Sequence, residues 1–105
     1  MNKVLNESLI YEILCAVEEI PFGKVASYGQ IAKLIGRDKN FRLVGKVLSI
    51  SQYYGKYPCH RVVNRAGRLA PCFREQKSLL VEEGITFKSN GCVDMKKHQW
   101  EMLFK

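Results

Sequence analysis

No stretch of this sequence approaches the ~20 consecutive apolar residues that a helix needs to cross a bilayer. The opening segment, Met1-Asn2-Lys3-Val4-Leu5-Asn6-Glu7, lacks the sustained apolar core of a signal peptide. No membrane association is expected, and the cytoplasm is the expected location. No Cys-x-x-Cys pair occurs either. Cys15, Cys59, Cys72 and Cys92 are scattered, which removes the usual zinc spacing, and a cytoplasmic setting argues against disulfides. Internal repeats and low-complexity tracts are also missing, so solenoid and disordered classes are set aside.

What is present is an ordinary globular composition with one bias. The chain has 105 residues, 47% hydrophobic and 26% charged, which suits one domain spanning 1–105 with a modest core. Lysine and arginine number 17 against 10 acidic residues, giving a net charge of +7. Such an excess favours a polyanionic partner through counterion release. A basic protein with no nucleic-acid role carries the same charge, so composition leaves both readings open.

Hydrophobic periodicity outlines the elements. Leu9, Ile10, Ile13, Leu14 and Val17 recur at helical spacing and predict an amphipathic helix over 7–19, stopped by Pro21 and Gly23. Cys15 falls within that apolar stretch and is expected in the core. Ser27 is a good N-cap for a helix over 28–35 that ends at Gly36. A second short helix over 39–49 carries Phe41, Val44, Val47 and Leu48 as its predicted apolar face. Two short helices joined by a glycine-containing turn fit a helix-turn-helix at about 28–49, although such pairs also occur as plain packing units. Residues 51–56 read as a loop, with Tyr53, Tyr54 and Tyr57 expected as core or groove wall. His60 to Val63 reads as a strand, 64–67 as a turn, 68–70 as its return and 74–83 as a helix closed by Gly84. Asn90-Gly91, between Ile85-Thr86-Phe87 and Cys92-Val93-Asp94-Met95, is a strong hairpin signal. Trp100, near the end of the chain, is expected to dock on the body. The fold class is α+β, mainly helical: a small domain with a winged-helix-like helix-turn-helix and short β hairpins.

The chemistry centres on Tyr57-Pro58-Cys59-His60-Arg61-Val62-Val63, the active-site segment at 57–63. A thiol near imidazole and guanidinium groups can become partly thiolate and hence nucleophilic. A small buried thiol beside a histidine on a strand fits the same letters, and for a bare Cys-His pair that reading is the commoner.

The flanking residues add a resemblance. Pro-Cys-His-Arg-Val, together with Gly23-Lys24-Val25-Ala26-Ser27-Tyr28-Gly29-Gln30-Ile31-Ala32, Arg42-Leu43-Val44-Gly45 and Glu82-Glu83-Gly84, resembles the C-terminal DNA-binding and catalytic domain of the O6-alkylguanine-DNA alkyltransferases. The resemblance runs from about Leu9 to Gly84. Tyr28 precedes Arg42 by 14 residues and Arg42 precedes Cys59 by 17, as in that family. It implies a protein that enters the minor groove of duplex DNA with its second helix, flips O6-alkylguanine and transfers the alkyl group irreversibly to Cys59. His60 would be the base and Glu83 its orienting carboxylate, which makes Cys59 more reactive than Cys15, Cys72 or Cys92. Arg42 would fill the vacated stack and Tyr28 would crowd the adjacent phosphate. Gly45, Lys46 and Arg61 would face DNA, while Tyr57, Pro58, Leu69 and Phe73 would line the substrate pocket. The protein would act as a monomer without metal or cofactor, with duplex DNA containing O6-alkylguanine as partner.

Two departures accompany the resemblance. The family's loop-bracing asparagine, nine residues after the arginine, is replaced by Ser51, with Gln52 beside it. The segment 67–73 is shorter than the family's and has no tyrosine to protonate the departing guanine. This compact form is similar to the alkyltransferase-like proteins, which implies an alternative: a sensor of O6-alkylguanine that recruits other repair machinery. Those proteins carry tryptophan or alanine at the place of Cys59. A helix-turn-helix regulator, in which Pro-Cys-His-Arg is structural only, is the third reading.

Overall fold

Leu9, Ile10, Ile13, Leu14, Ala16 and Val17 line one side of helix α1 (Glu7–Glu18), and all six are buried. The computed structural model describes residues 7–37, 39–71 and 73–101. The apolar stripe of α1 is the floor on which α2 (Tyr28–Leu34) and α3 (Phe41–Ser49) pack, through Ile31, Ala32, Val44 and Val47. Each fully buried aliphatic side chain of this kind stabilises the fold by about 1.5–3 kcal/mol. Cys15 departs from its predicted place. It lies on the outer side of α1 and is exposed, because the buried stripe takes Leu14 and Ala16 on either side and leaves position 15 facing out.

The start of α2 is fixed by a capping box. The Ser27 hydroxyl accepts from the Gln30 N–H at 3.0 Å, and the Gln30 side chain accepts from the Ser27 N–H at 3.0 Å. Its end is closed by a pair of hydrogen bonds, Gly36 N–H to the Lys33 carbonyl and Arg37 N–H to the Ala32 carbonyl, with Gly36 at φ +79°. The tight exit turns the chain into α3, so the helix-turn-helix forms from a serine cap and a glycine stop. Within α3, Val44 and Val47 are buried as expected, but Phe41 is 50% exposed. Leu43 packs towards the core instead.

Strands β1 (Ala26–Ser27) and β2 (Val62–Val63) form the one regular sheet among the described residues, and they run parallel. The predicted strand from His60 is shortened. Pro58 centres an inverse γ-turn (φ −77°, ψ +59°), with the Cys59 N–H on the Tyr57 carbonyl at 2.7 Å. A 3-10 turn at Cys59–Arg61 follows and consumes the residues that the strand would have used. A similar 3-10 turn at Ser51–Tyr53 occupies the predicted loop.

The predicted return strand at 68–70 does not form. Gly67 instead offers its carbonyl to the Val93 N–H at 2.9 Å. Gly67 sits at φ +90°, and a Cβ there would lie 2.5 Å from the Val93 carbonyl oxygen, so only glycine allows this crossing. The Asn90-Gly91 hairpin is present but minimal, with one bridge pairing Phe87 and Val93, because Met95 already starts α5 (Met95–His98). Trp100 docks as expected. Its N–H donates to the Val25 carbonyl at 2.7 Å, and its ring packs on the first core cluster.

Helix α4 (Gln76–Glu82) ends in a six-to-one and five-to-two pair, Ile85 N–H to Leu80 O and Gly84 N–H to Val81 O. Gly84 holds φ +85°, and Leu80 and Ile85 pack together in a second buried cluster. That closure places Glu83, the residue just before the glycine, against the Cys59–Arg61 turn. No helix among the described residues is long and apolar enough to cross a membrane.

Candidate active site and nucleic-acid interface

Glu83 is the electrostatic centre of the site. Its carboxylate meets His60 Nε2 at 2.7 Å and accepts from the Gly23 N–H at 2.8 Å. Arg61 adds its Nε at 2.9 and 3.0 Å to the two oxygens, and its Nη2 lies 2.9 Å from Oε2. Burial raises the Glu83 carboxyl, but these donors outweigh it, so the group lies below its ordinary value. His60 is held by one ring nitrogen to the carboxylate and by its carbonyl to the Gln76 amide at 3.0 Å. The expected His60–Glu83 pairing is thus present, contributed by residues 23 positions apart.

Arg61 requires a correction. It was expected at the DNA surface, yet its guanidinium grips Glu83 and donates through Nη1 to the Ile20 carbonyl at 2.8 Å. The exposed Phe22 ring lies 5.7 Å from it. A forked donor set satisfied from both sides suits a buried carboxylate, and the arginine serves the fold here.

The Cys59 thiol has a side-chain partner of its own. Its Sγ donates to the Ser51 hydroxyl at 3.3 Å, and no hydrogen bond joins it to His60 among the described residues. Ser51 thus links the turn after α3 directly to the Cys59 sulfur. Burial pushes the thiol above its usual value, and the Ser51 hydrogen bond offsets part of that. Burial thus favours the neutral thiol over the thiolate at Cys59.

Cys59, Ser51, Tyr28, Gly45, Tyr57 and Phe73 border one cleft of about 790 Å³. Tyr28, the first residue of α2, is half-buried; burial and then the neighbouring Cys59 keep its hydroxyl protonated above the ordinary tyrosine value. A Cβ at Gly45 would meet Tyr28 Cε1 at 3.8 Å, an ordinary contact. Helix packing alone therefore does not demand glycine there. Arg42 and Lys46 lie one helical turn apart and are exposed, bordering a shallow concavity on α3 instead of the thiol cleft.

Two predicted pocket residues are placed elsewhere. Leu69 packs on the second core cluster because its segment is drawn towards Val63 and Val93. Pro58 shapes the backbone turn below Cys59 and is not part of the cleft wall. Leu48, Ala70 and Leu79 take their share of the lining. Of the three loop tyrosines, Tyr57 lines the cleft and Tyr54 packs against the core, edge-on to Tyr11 at 5.4 Å. Tyr53 is 76% exposed and belongs to neither.

Gln76 is a site residue that sequence reasoning missed. It is fully buried, and its amide donates to the His60 and Val62 carbonyls at 3.0 and 2.9 Å while accepting from the Ala70 N–H at 2.8 Å. It ties the segments before and after the active-site turn to α4. A glutamine at the start of a helix carries no signal of this role. No group of three or more histidine, cysteine or acidic side chains able to hold a metal occurs among the described residues.

Comparison with known proteins fits this geometry. Residues 9–85 match the family described as 6-O-methylguanine DNA methyltransferase, DNA binding domain. The DNA base-flipping protein of Escherichia coli is 35% identical over 94 residues, covering 87% of this chain and 70% of that protein. A methylated-DNA–protein-cysteine methyltransferase of Methanosarcina acetivorans is 43% identical over 54 residues, 51% of this chain and 35% of that enzyme. The crystal structure of Schizosaccharomyces pombe Atl1 in complex with damaged DNA containing O6-carboxymethylguanine superposes with a TM-score of 0.81 at 29% identity, covering 94% of this chain and 100% of that one. The chain belongs to the 6-O-methylguanine DNA methyltransferase family.

Proposed function

We propose that this family member recognises O6-alkylguanine in duplex DNA, rotates the damaged nucleotide into the Cys59 cleft and accepts its alkyl group once. The observation that carries this reading is the shared cleft: the nucleophile Cys59, the Tyr28 hydroxyl and the bare backbone at Gly45 of α3 border one space of about 790 Å³. That volume lies in the ordinary range for a small-molecule site, about 300–1,000 Å³. The names of the Escherichia coli and fission yeast relatives support flipping and damage recognition.

The oxygen of a damaged guanine is buried in the base stack, so the nucleotide must leave it before any thiol can reach it. Arg42 stands on the outer side of α3 to occupy the vacated position, Lys46 holds the phosphates, and Gly45 opens the way into the cleft. Transfer forms a sulfur–carbon bond as the carbon–oxygen bond to guanine breaks. The thiol proton must leave, with His60, held by Glu83, as its acceptor, and the departing guanine takes up a proton. The shortened segment 67–73 supplies no tyrosine for that last step, but Tyr28 and Tyr57 border the same cleft and carry hydroxyl protons. Transfer is expected to be slow, because burial disfavours the thiolate and the thiol is bonded to Ser51.

The same Ser51–Cys59 contact favours a second reading, a lesion sensor that binds without transfer and recruits other repair proteins. Incubation with an oligonucleotide carrying one O6-methylguanine, followed by intact and peptide mass measurement, separates the two. Transfer adds a single methyl increment on the Cys59 peptide, absent in Cys59→Ala. Tight binding with the methyl group retained on DNA leaves the sensor reading. Equal affinity for damaged and undamaged duplex overturns both.

A further inference from the structure

Phe41 is the first residue of α3, and its apolar ring is 50% exposed in a basic setting. Lys39, Asn40, Arg42 and Lys46 border the same shallow concavity of about 590 Å³. Tyr11 meets Tyr54 edge-on and Phe22 lies against the Arg61 guanidinium, while the more exposed Tyr53 ring lies outside this basic concavity. No ring or cation partner of that kind is found for Phe41 among the described residues. Holding a half-exposed phenyl ring forgoes about 1 kcal/mol of burial. The surface therefore combines an unspent apolar group with cations on both sides of it.

A duplex presents the matching chemistry in its minor groove, where phosphates flank the apolar faces of sugars and the edges of stacked bases. Minor-groove proteins commonly wedge an apolar side chain between base steps and hold it there by basic residues on the backbone. Adjacent residues of a helix diverge by about 100°, so Phe41 and Arg42 address different points of the groove.

We infer that Phe41 is a second, apolar wedge, seated at a base step beside the one that Arg42 enters, with Lys39 and Lys46 on the flanking phosphates. This rests on the DNA-binding reading above. It adds a specific residue whose energy is apolar and therefore independent of salt.

The test measures affinity for undamaged and O6-methylguanine duplexes by fluorescence anisotropy across a salt series, with wild type, Phe41→Ala, Phe41→Leu and Lys46→Ala. Loss of one buried phenyl contact should weaken Phe41→Ala roughly 5- to 30-fold on both duplexes, with the salt slope of wild type. Phe41→Leu should recover most of the loss. Lys46→Ala should lower the slope by about one. With 2-aminopurine placed at successive steps, wild type should raise fluorescence at a step that stays dark with Phe41→Ala and lights with Arg42→Ala. Wild-type affinity in Phe41→Ala overturns the wedge, as does a thermal midpoint lowered by several degrees, which would place the ring in the fold. Failure of wild type to bind either duplex overturns the DNA-binding reading itself.

Discussion

The Cys59 sulfur lies 3.3 Å from the Ser51 hydroxyl, which ties this thiol to the turn that follows α3. Ser51 can accept from the thiol or donate to the thiolate, so it is the side chain that moderates how burial affects this sulfur. Replacing it with alanine removes about 1 kcal/mol of stabilisation from the thiolate. Ser51→Ala should slow alkylation of Cys59 by a small thiol probe roughly fivefold near pH 8 and move the midpoint of the pH–rate profile upward. In the DNA-free protein, the exposed Cys15 should label ahead of Cys59, the reverse of the order that a His60-activated thiolate implies. Peptide mapping after brief labelling reads both.

Glu83 should be the acid-sensitive element of the fold. Its carboxyl is held below its ordinary value, so its contribution to stability is present above the unfolded carboxylate value and disappears as pH falls through the lower, folded one. The side chains of Arg61 and Glu83 are only 16% and 6% exposed, so removing one leaves the other largely buried and uncompensated. Glu83→Ala should cost about 3–5 kcal/mol in urea denaturation at pH 7. The gap from wild type should narrow as pH falls below the unfolded glutamate value, about 4.3, and close as it passes the lower folded one.

Gln76 should matter more than a helix-start glutamine normally does. Its amide satisfies two carbonyls and one N–H in a buried setting. Gln76→Leu strands all three groups and should cost about 2–4 kcal/mol. At roughly 4–8 °C per kcal/mol for a domain of this size, the thermal midpoint should fall by about 8 °C or more.

Arg42 and Arg61 should separate cleanly in binding. Arg42→Ala should weaken affinity for O6-methylguanine duplex more than for undamaged duplex, since its proposed place is the vacated stack. Arg61→Gln should leave the salt slope of DNA binding unchanged while lowering the thermal midpoint, because its guanidinium is engaged by Glu83 and Ile20. A slope reduced by about one in Arg61→Gln would return that residue to the DNA surface.

Local chemistry was legible from the letters. The α1 stripe, the Ser27 cap, the Gly36 and Gly84 stops and the Asn90-Gly91 turn each depend on residues within a few positions, and each is where the pattern put it. The fold class and the family were equally legible, because Tyr28, Arg42 and Pro-Cys-His-Arg-Val keep characteristic spacings along the chain. Helix and turn signals are properties of short segments, and spacing is read along the chain without coordinates.

Tertiary structure decided the partners. Whether Arg61 faces DNA or Glu83, which side chain bonds the Cys59 thiol, and whether Phe41 lies inside or outside depend on which distant segments arrive beside them. The parallel pairing of Ala26–Ser27 with Val62–Val63 joins segments far apart in sequence, and no local pattern encodes such a pairing. Gln76 shows the same limit from the polar side: its amide became structural because the fold buries it fully beside the His60 and Val62 carbonyls and the Ala70 N–H. Periodicity specifies which face of an element is apolar, but the enclosing segments determine which polar groups lose solvent and must find each other.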